Sequence, residues 1–148
     1  MNLFEIDHIH LDLEVSSKDE LFNFIANTLK ALGRITESAD FKKALEKRES
    51  EISTGLGEGI GMPHTLDTSV MFPTMLYIRL KNEIDYQAID GLPVKEIYAI
   101  AMPNSYQKEH LELISKIASI YIDEASKEEI RALDTKESIH SFISKNLK

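Results

Sequence analysis

The run VKEIYAIAM, Val94 to Met102, constrains this chain more than any other stretch. Only Lys95 and Glu96 interrupt its apolar character. A strand-length run of this kind belongs in the middle of a sheet. Such a sheet needs helices over it, and the chain supplies amphipathic segments before and after. Ser17 and Glu20 form a capping-box pattern that opens a helix carrying Leu21, Phe22, Ile25, Leu29 and Leu32, and Gly33 closes it. A second helix is expected from about Ala39 to Arg48, capped by Ser38, with Phe41, Ala44 and Leu45 inward. After the break at Pro103-Asn104-Ser105, a third places Leu111, Ile114, Ile117 and Tyr121 on one face, with Leu113 and Ile120 alongside. Ser126 with Glu129, and Asp134 with Glu137, repeat the capping-box pattern.

SVMFPTMLYIRL, Ser69 to Leu80, predicts another strand, restricted in its pairing by Pro73. Asp90-Gly91 and Pro93 mark the turn between the two strands. Near the start, Ile9, Leu11, Leu13 and Val15 alternate with His10, Asp12 and Glu14. That period predicts a short extended segment with His8 and His10 on its solvent face. The expected fold is therefore α/β: a mixed β-sheet flanked by helices, in a single compact domain spanning 1–148.

With 148 residues, one domain can bury roughly 70% of its unfolded surface. The chain has no cysteine, which excludes disulfides, thiolate metal sites and a cysteine nucleophile, and suits a reducing cytoplasm. The acidic N-terminal stretch is unlike a signal peptide, and no apolar run reaches membrane-spanning length. The net charge of −8 argues against a nucleic-acid partner. Apart from His8 and His10, the histidines have no metal-ligand spacing, so no metal or cofactor is expected.

The stretch TGLGEGIGMPHT, Thr54 to Thr65, carries Gly55, Gly57, Gly59 and Gly61 ahead of Pro63-His64. The glycines fit a hairpin with tight bends, or a backbone nest for an anion. They match neither a Walker A loop nor G-x-G-x-x-G. Pro63 fixes its own φ and holds Met62 extended, so His64 is presented from a stiff run. A neutral imidazole is a good nucleophile near pH 7, and phosphate-friendly backbone beside it suggests a phosphohistidine; a packing histidine is the alternative. Arg48 could grip phosphate oxygens or simply sit at a helix C-terminus. His110 could donate a hydrogen bond to a phosphoryl group or be an ordinary helix residue.

KRESEISTGLGEGIGMPH, Lys47 to His64, resembles the signature of the enzyme IIA domains of the mannitol/fructose class in the bacterial sugar phosphotransferase system. IDGLPVKEIYAIAMPNSYQKEHLELISKIA resembles the later block of that family. The resemblance covers nearly the whole chain. It implies that His64 accepts a phosphoryl group from the phosphocarrier protein HPr and passes it to a cysteine of an enzyme IIB partner. The chain would then be a phosphotransferase component of sugar uptake, peripheral to a membrane permease. His110 matches the second active-site histidine and would hydrogen-bond the phosphoryl oxygens. Arg48 matches the arginine that offsets their charge. The glycine backbone would let a partner approach His64. Gly61 and Thr65 depart from the family pattern, and Thr65 is similar to the galactitol-type relatives; it is read as starting the next loop. Nitrogen-type relatives, which control partner binding, are the alternative function.

Overall fold

The computed structural model describes residues 2–148. Its strands are β1 (Ile9–Leu13), β2 (Gly55–Gly57), β3 (Ile60–Gly61), β4 (His64–Leu66), β5 (Thr74–Ile84) and β6 (Val94–Met102). They form one mixed sheet in the order β1-β5-β6-β3-β2, with β4 paired to β6 beyond β3. β1 runs parallel to β5, β5 antiparallel to β6, and both β3 and β4 parallel to β6. The helices are α1 (Lys18–Ala31), α2 (Ser38–Glu51), α3 (Gln107–Ile122), α4 (Glu124–Ala132) and α5 (Lys136–Asn146). Among the described residues, no helix is long and apolar enough to cross a membrane.

The two central strands are apolar on both sides, and their period of two sorts the core into two halves. Leu76, Ile78 and Leu80, with Ile97, Ala99 and Ala101, pack under α1 and α2. Met75 and Tyr77, with Tyr98, Ile100 and Met102, pack under α3, α4 and α5. The second half contains a polar hub. Glu96, 4% exposed, accepts hydrogen bonds from Tyr77 Oη (3.0 Å), Tyr121 Oη (2.7 Å) and Arg131 Nε (2.5 Å). Arg131 also donates to the Glu58 carbonyl, tying α4 to the β2–β3 turn.

The helix starts follow the caps with several shifts. Ser17 Oγ accepts from the Glu20 N–H, while the Glu20 carboxylate reaches back to Ser16 rather than Ser17. Gly33 has φ +73°, as a helix-ending glycine requires. Ser38 is the first residue of α2, not its cap. α3 starts after Tyr106. Ser126 lies inside α4, where its hydroxyl donates to Asp123. Thr135, not Asp134, caps α5. On α3 the buried face is His110, Leu113, Ile117, Ile120 and Tyr121, leaving Leu111 66% exposed.

His8 does not face solvent, and His10 does so only in part. His8 is fully buried in a short 3-10 turn, where its Nδ1 accepts from the Glu5 N–H and its Nε2 lies 3.3 Å from Arg34. His10 packs edge-on against Phe24. Glu5, Asp7 and His8 bring three potential metal-ligand atoms together. The Arg34 guanidinium, 3.3 Å from the Glu5 carboxylate, already supplies the positive charge there.

The glycine stretch is a hairpin. β2 and β3 are antiparallel, and Glu58 (φ +59°) and Gly59 (φ +77°) form its turn. Two successive left-handed residues match the twist of a two-residue hairpin. Gly55 and Gly61 are needed for close packing rather than for an anion. A Cβ on Gly55 would lie 2.7 Å from the Ala88 backbone and 2.9 Å from the Tyr86 ring. On Gly61 it would lie 3.1 Å from that ring. Gly55→Ala is therefore expected to destabilise the fold by about 1–3 kcal/mol through overpacking. A urea midpoint equal to that of wild type would contradict this.

Candidate active site

β4 lies at the border of the sheet, so a residue on it can be reached by both helical layers. His64 opens β4 and pairs with Ile100 of β6. α2 approaches from one side with Arg48, and the first turn of α3 approaches from the other with His110. All three line one open cleft of about 710 Å³. The rings of His64 and His110 are 5.1 Å apart, centre to centre, and inclined at 54°. Three residues far apart in sequence are thus brought together.

The tautomer of His64 follows from its neighbour. Its Nδ1 lies 2.6 Å from the Met62 carbonyl oxygen. A carbonyl can only accept, so Nδ1 carries the hydrogen and Nε2 keeps its lone pair. Burial lowers the proton affinity of His64. The Met62 hydrogen bond opposes this, the Arg48 charge adds to it, and Glu49 opposes it; the net is a pKa below the ordinary value. The ring is neutral at pH 7.

His110 is a second neutral imidazole. Its Nδ1 is buried without a hydrogen-bond partner. Burial, then the nearby His64 and Arg48 charges, push its pKa down to about 4. With Nδ1 sealed, Nε2 is the ring nitrogen left to meet a group in the cleft. In the unfolded chain His110 regains the ordinary value of 6.5. Between pH 6.5 and 4 the unfolded state binds more protons, so this contribution is complete above pH 6.5 and lost as pH falls toward 4. His110→Asn is expected to flatten the fall in urea midpoint across that window. An unchanged slope would contradict it.

Arg48 donates to the Ile52 carbonyl (3.0 Å) and leaves further N–H groups for an anion in the cleft. Lys43 and Lys47 also line the cleft from α2. Sequence reasoning passed over both, although they are i, i+4 neighbours on one helical face. Leu111 and Ile114 supply an apolar rim from α3. Thr65 is the middle residue of β4, paired with Ala101, and does not begin a loop. Asp67 does not orient His64; it accepts from the backbone and hydroxyl of Ser69. None of the four hairpin glycines lines the cleft.

Glu49 follows Arg48 on α2 and does not line the cleft. Burial pushes its carboxyl up, but hydrogen bonds from Thr54 and Lys18 outweigh this and hold it below its ordinary value.

Known proteins of the same kind have related sequences and folds. The nitrogen regulatory protein IIA-Ntr of Neisseria meningitidis superposes with a TM-score of 0.89 at 31% identity, covering 95% of this chain and 96% of that one. The mannitol-specific phosphotransferase enzyme IIA component of Staphylococcus aureus is 30% identical, covering 93% of this chain and 92% of its own. The fructose-specific EIIABC component of Bacillus subtilis is 29% identical over 93% of this chain, which spans only 22% of that longer protein. The complex of enzyme IIAMTL with phosphorylated enzyme IIBMTL from Escherichia coli shares the fold, with a TM-score of 0.80 at 18% identity, covering 96% of this chain and 97% of that one. The family described as "Phosphoenolpyruvate-dependent sugar phosphotransferase system, EIIA 2" matches residues 2–146. A match of that extent takes in both helical layers and the whole cleft between them, and the chain belongs to that family of phosphotransferase components.

Proposed function

We propose that this protein is a histidine phosphocarrier in a cytoplasmic sugar-uptake relay, taking phosphate from phospho-HPr and giving it to a cysteine of an enzyme IIB partner. One observation carries the reading. The Met62 carbonyl holds the hydrogen on Nδ1 of His64 and so leaves Nε2 as a nucleophile in a ring lining the cleft. The Nε2 lone pair attacks phosphorus as the donor N–P bond breaks. The ring gains positive character, which the Nδ1–H bond to Met62 stabilises. In the second step a partner thiolate attacks phosphorus, the Nε2–P bond breaks, and its electron pair returns to Nε2. Phosphoryl transfer of this kind depends mainly on positioning and charge. His110 Nε2–H and Arg48 supply donors for the phosphoryl oxygens, and no metal enters either step.

A regulatory role is the second reading, favoured by the likeness to IIA-Ntr over nearly the full chain. In that role the phosphorylated state would govern partner binding. Incubation with phosphoenolpyruvate, enzyme I and HPr is expected to add a single acid-labile, base-stable phosphate by mass. Adding the IIB partner then discharges it. Absence of uptake from a competent donor overturns the relay. Uptake without discharge to any IIB partner favours the regulatory role.

A further inference from the structure

Arg48 and Glu49 are neighbours on the last turn of α2, so their side chains leave the helix in different directions. Arg48 reaches the cleft, and Glu49 turns inward. Its carboxylate accepts from the Thr54 N–H (2.9 Å), the Thr54 hydroxyl (2.5 Å) and Lys18 Nζ (3.0 Å). Thr54 is itself enclosed, with its hydroxyl 2.7 Å from Tyr86 Oη. The Thr54 carbonyl accepts from the Met62 N–H at 2.9 Å. The Met62 carbonyl accepts from His64 Nδ1 at 2.6 Å. A continuous set of hydrogen bonds and short backbone links therefore leads from Glu49 to His64.

We infer that Glu49 is a positioning residue for phosphoryl transfer, pinning Thr54 and, through the Thr54–Met62 pair, the carbonyl that sets the tautomer and orientation of His64. The inference rests on His64 being the phosphoryl acceptor. A buried ion pair is a weak device for stability alone. Here its three donors come from α1 and from the base of the hairpin, so one carboxylate joins α2 to the segment that presents His64. The same helical turn carries Arg48, and the nucleophile and its cation are located by one joint. A misplacement of about 1 Å between reacting groups lowers a rate on the order of 10²-fold.

The test is made on the full chain with 15N-labelled histidine. In wild type, His64 shows a protonated Nδ1 and a bare Nε2. Glu49→Ala is expected to give a mixed-tautomer signature at His64 and phosphorylation slowed on the order of 10²-fold. Glu49→Gln keeps an acceptor oxygen for the Thr54 N–H. It is expected to retain the tautomer and to recover the rate to within about tenfold of wild type. Thr54→Val keeps the N–H and loses the hydroxyl contact, and is expected to mix the tautomers in part. A single Nδ1–H tautomer together with the wild-type rate in folded Glu49→Ala overturns the inference. If Glu49→Ala does not fold, the same result in Thr54→Val overturns it. Should wild type take no phosphate, the relay reading fails, while the His64 tautomer in the variants still decides the role of Glu49.

Discussion

His64→Ala is expected to abolish phosphate uptake while leaving the protein folded. Among the described residues that line the cleft, this imidazole alone combines neutrality at pH 7, a fixed tautomer and a lone pair held opposite a hydrogen-bonded nitrogen. His110 is a poor substitute. Its pKa near 4 marks a weakly basic ring, and its Nδ1 is sealed away. A weaker base is a weaker nucleophile. Loss of the acceptor is expected to lower uptake by at least about 10³-fold. The structural loss is one hydrogen bond, on the order of 1 kcal/mol. Mass measurement after incubation with the phosphoenolpyruvate-driven donors, alongside a thermal midpoint, checks both halves. Label on folded His64→Ala at the wild-type rate would move the acceptor elsewhere.

Glu96→Ala is expected to have the largest effect on stability, about 3 kcal/mol. Its removal strands the buried hydroxyl of Tyr77 and leaves the Tyr98–Tyr121 hydroxyl pair, 2.7 Å apart, one acceptor short. It also leaves Arg131 without its carboxylate, and that part is smaller because the guanidinium is half-exposed. Glu96→Gln retains one acceptor oxygen and is expected to lose less. Urea unfolding of both variants measures the difference. Equal midpoints for Glu96→Ala and wild type would mean that the hub holds nothing together.

Much of the fold was legible in the residues. VKEIYAIAM became β6 with the expected ends, because an apolar run of that length has few other places to go. Ser17 capped α1 because a side-chain cap is a local interaction. The face of α3 was harder to read. Leu111 and Ile114 compete with His110 and Leu113 for the inward position, and both stripes share Ile117 and Tyr121. Only the packing of α3 over β6 decides between them, and it turns Leu111 out to the cleft rim. His8 was misplaced for a similar reason, since the buried guanidinium that accommodates it, Arg34, comes from the segment after α1. The hairpin was one of the two readings the glycines allowed, and it is the one that forms; the proximity of Tyr86 and Ala88 that requires Gly55 and Gly61 is a long-range contact and was not legible. His64, His110 and Arg48 were marked by motif resemblance. Their convergence depends on β4 lying at the sheet border with α2 and α3 on either side.

One backbone detail has kinetic weight. β3 and β4 run along the same strand, β6, with Pro63 between them, and the Pro63 carbonyl accepts from the Ile100 N–H. The chain is thus anchored to β6 immediately before His64, through a bond that belongs to the His64–Ile100 pairing. A side chain fixed this firmly needs no internal rearrangement before it meets a partner. In the proposed relay, transfer is then expected to be paced by how often a partner collides in the correct orientation, and to speed up with partner concentration rather than with loosening of the fold.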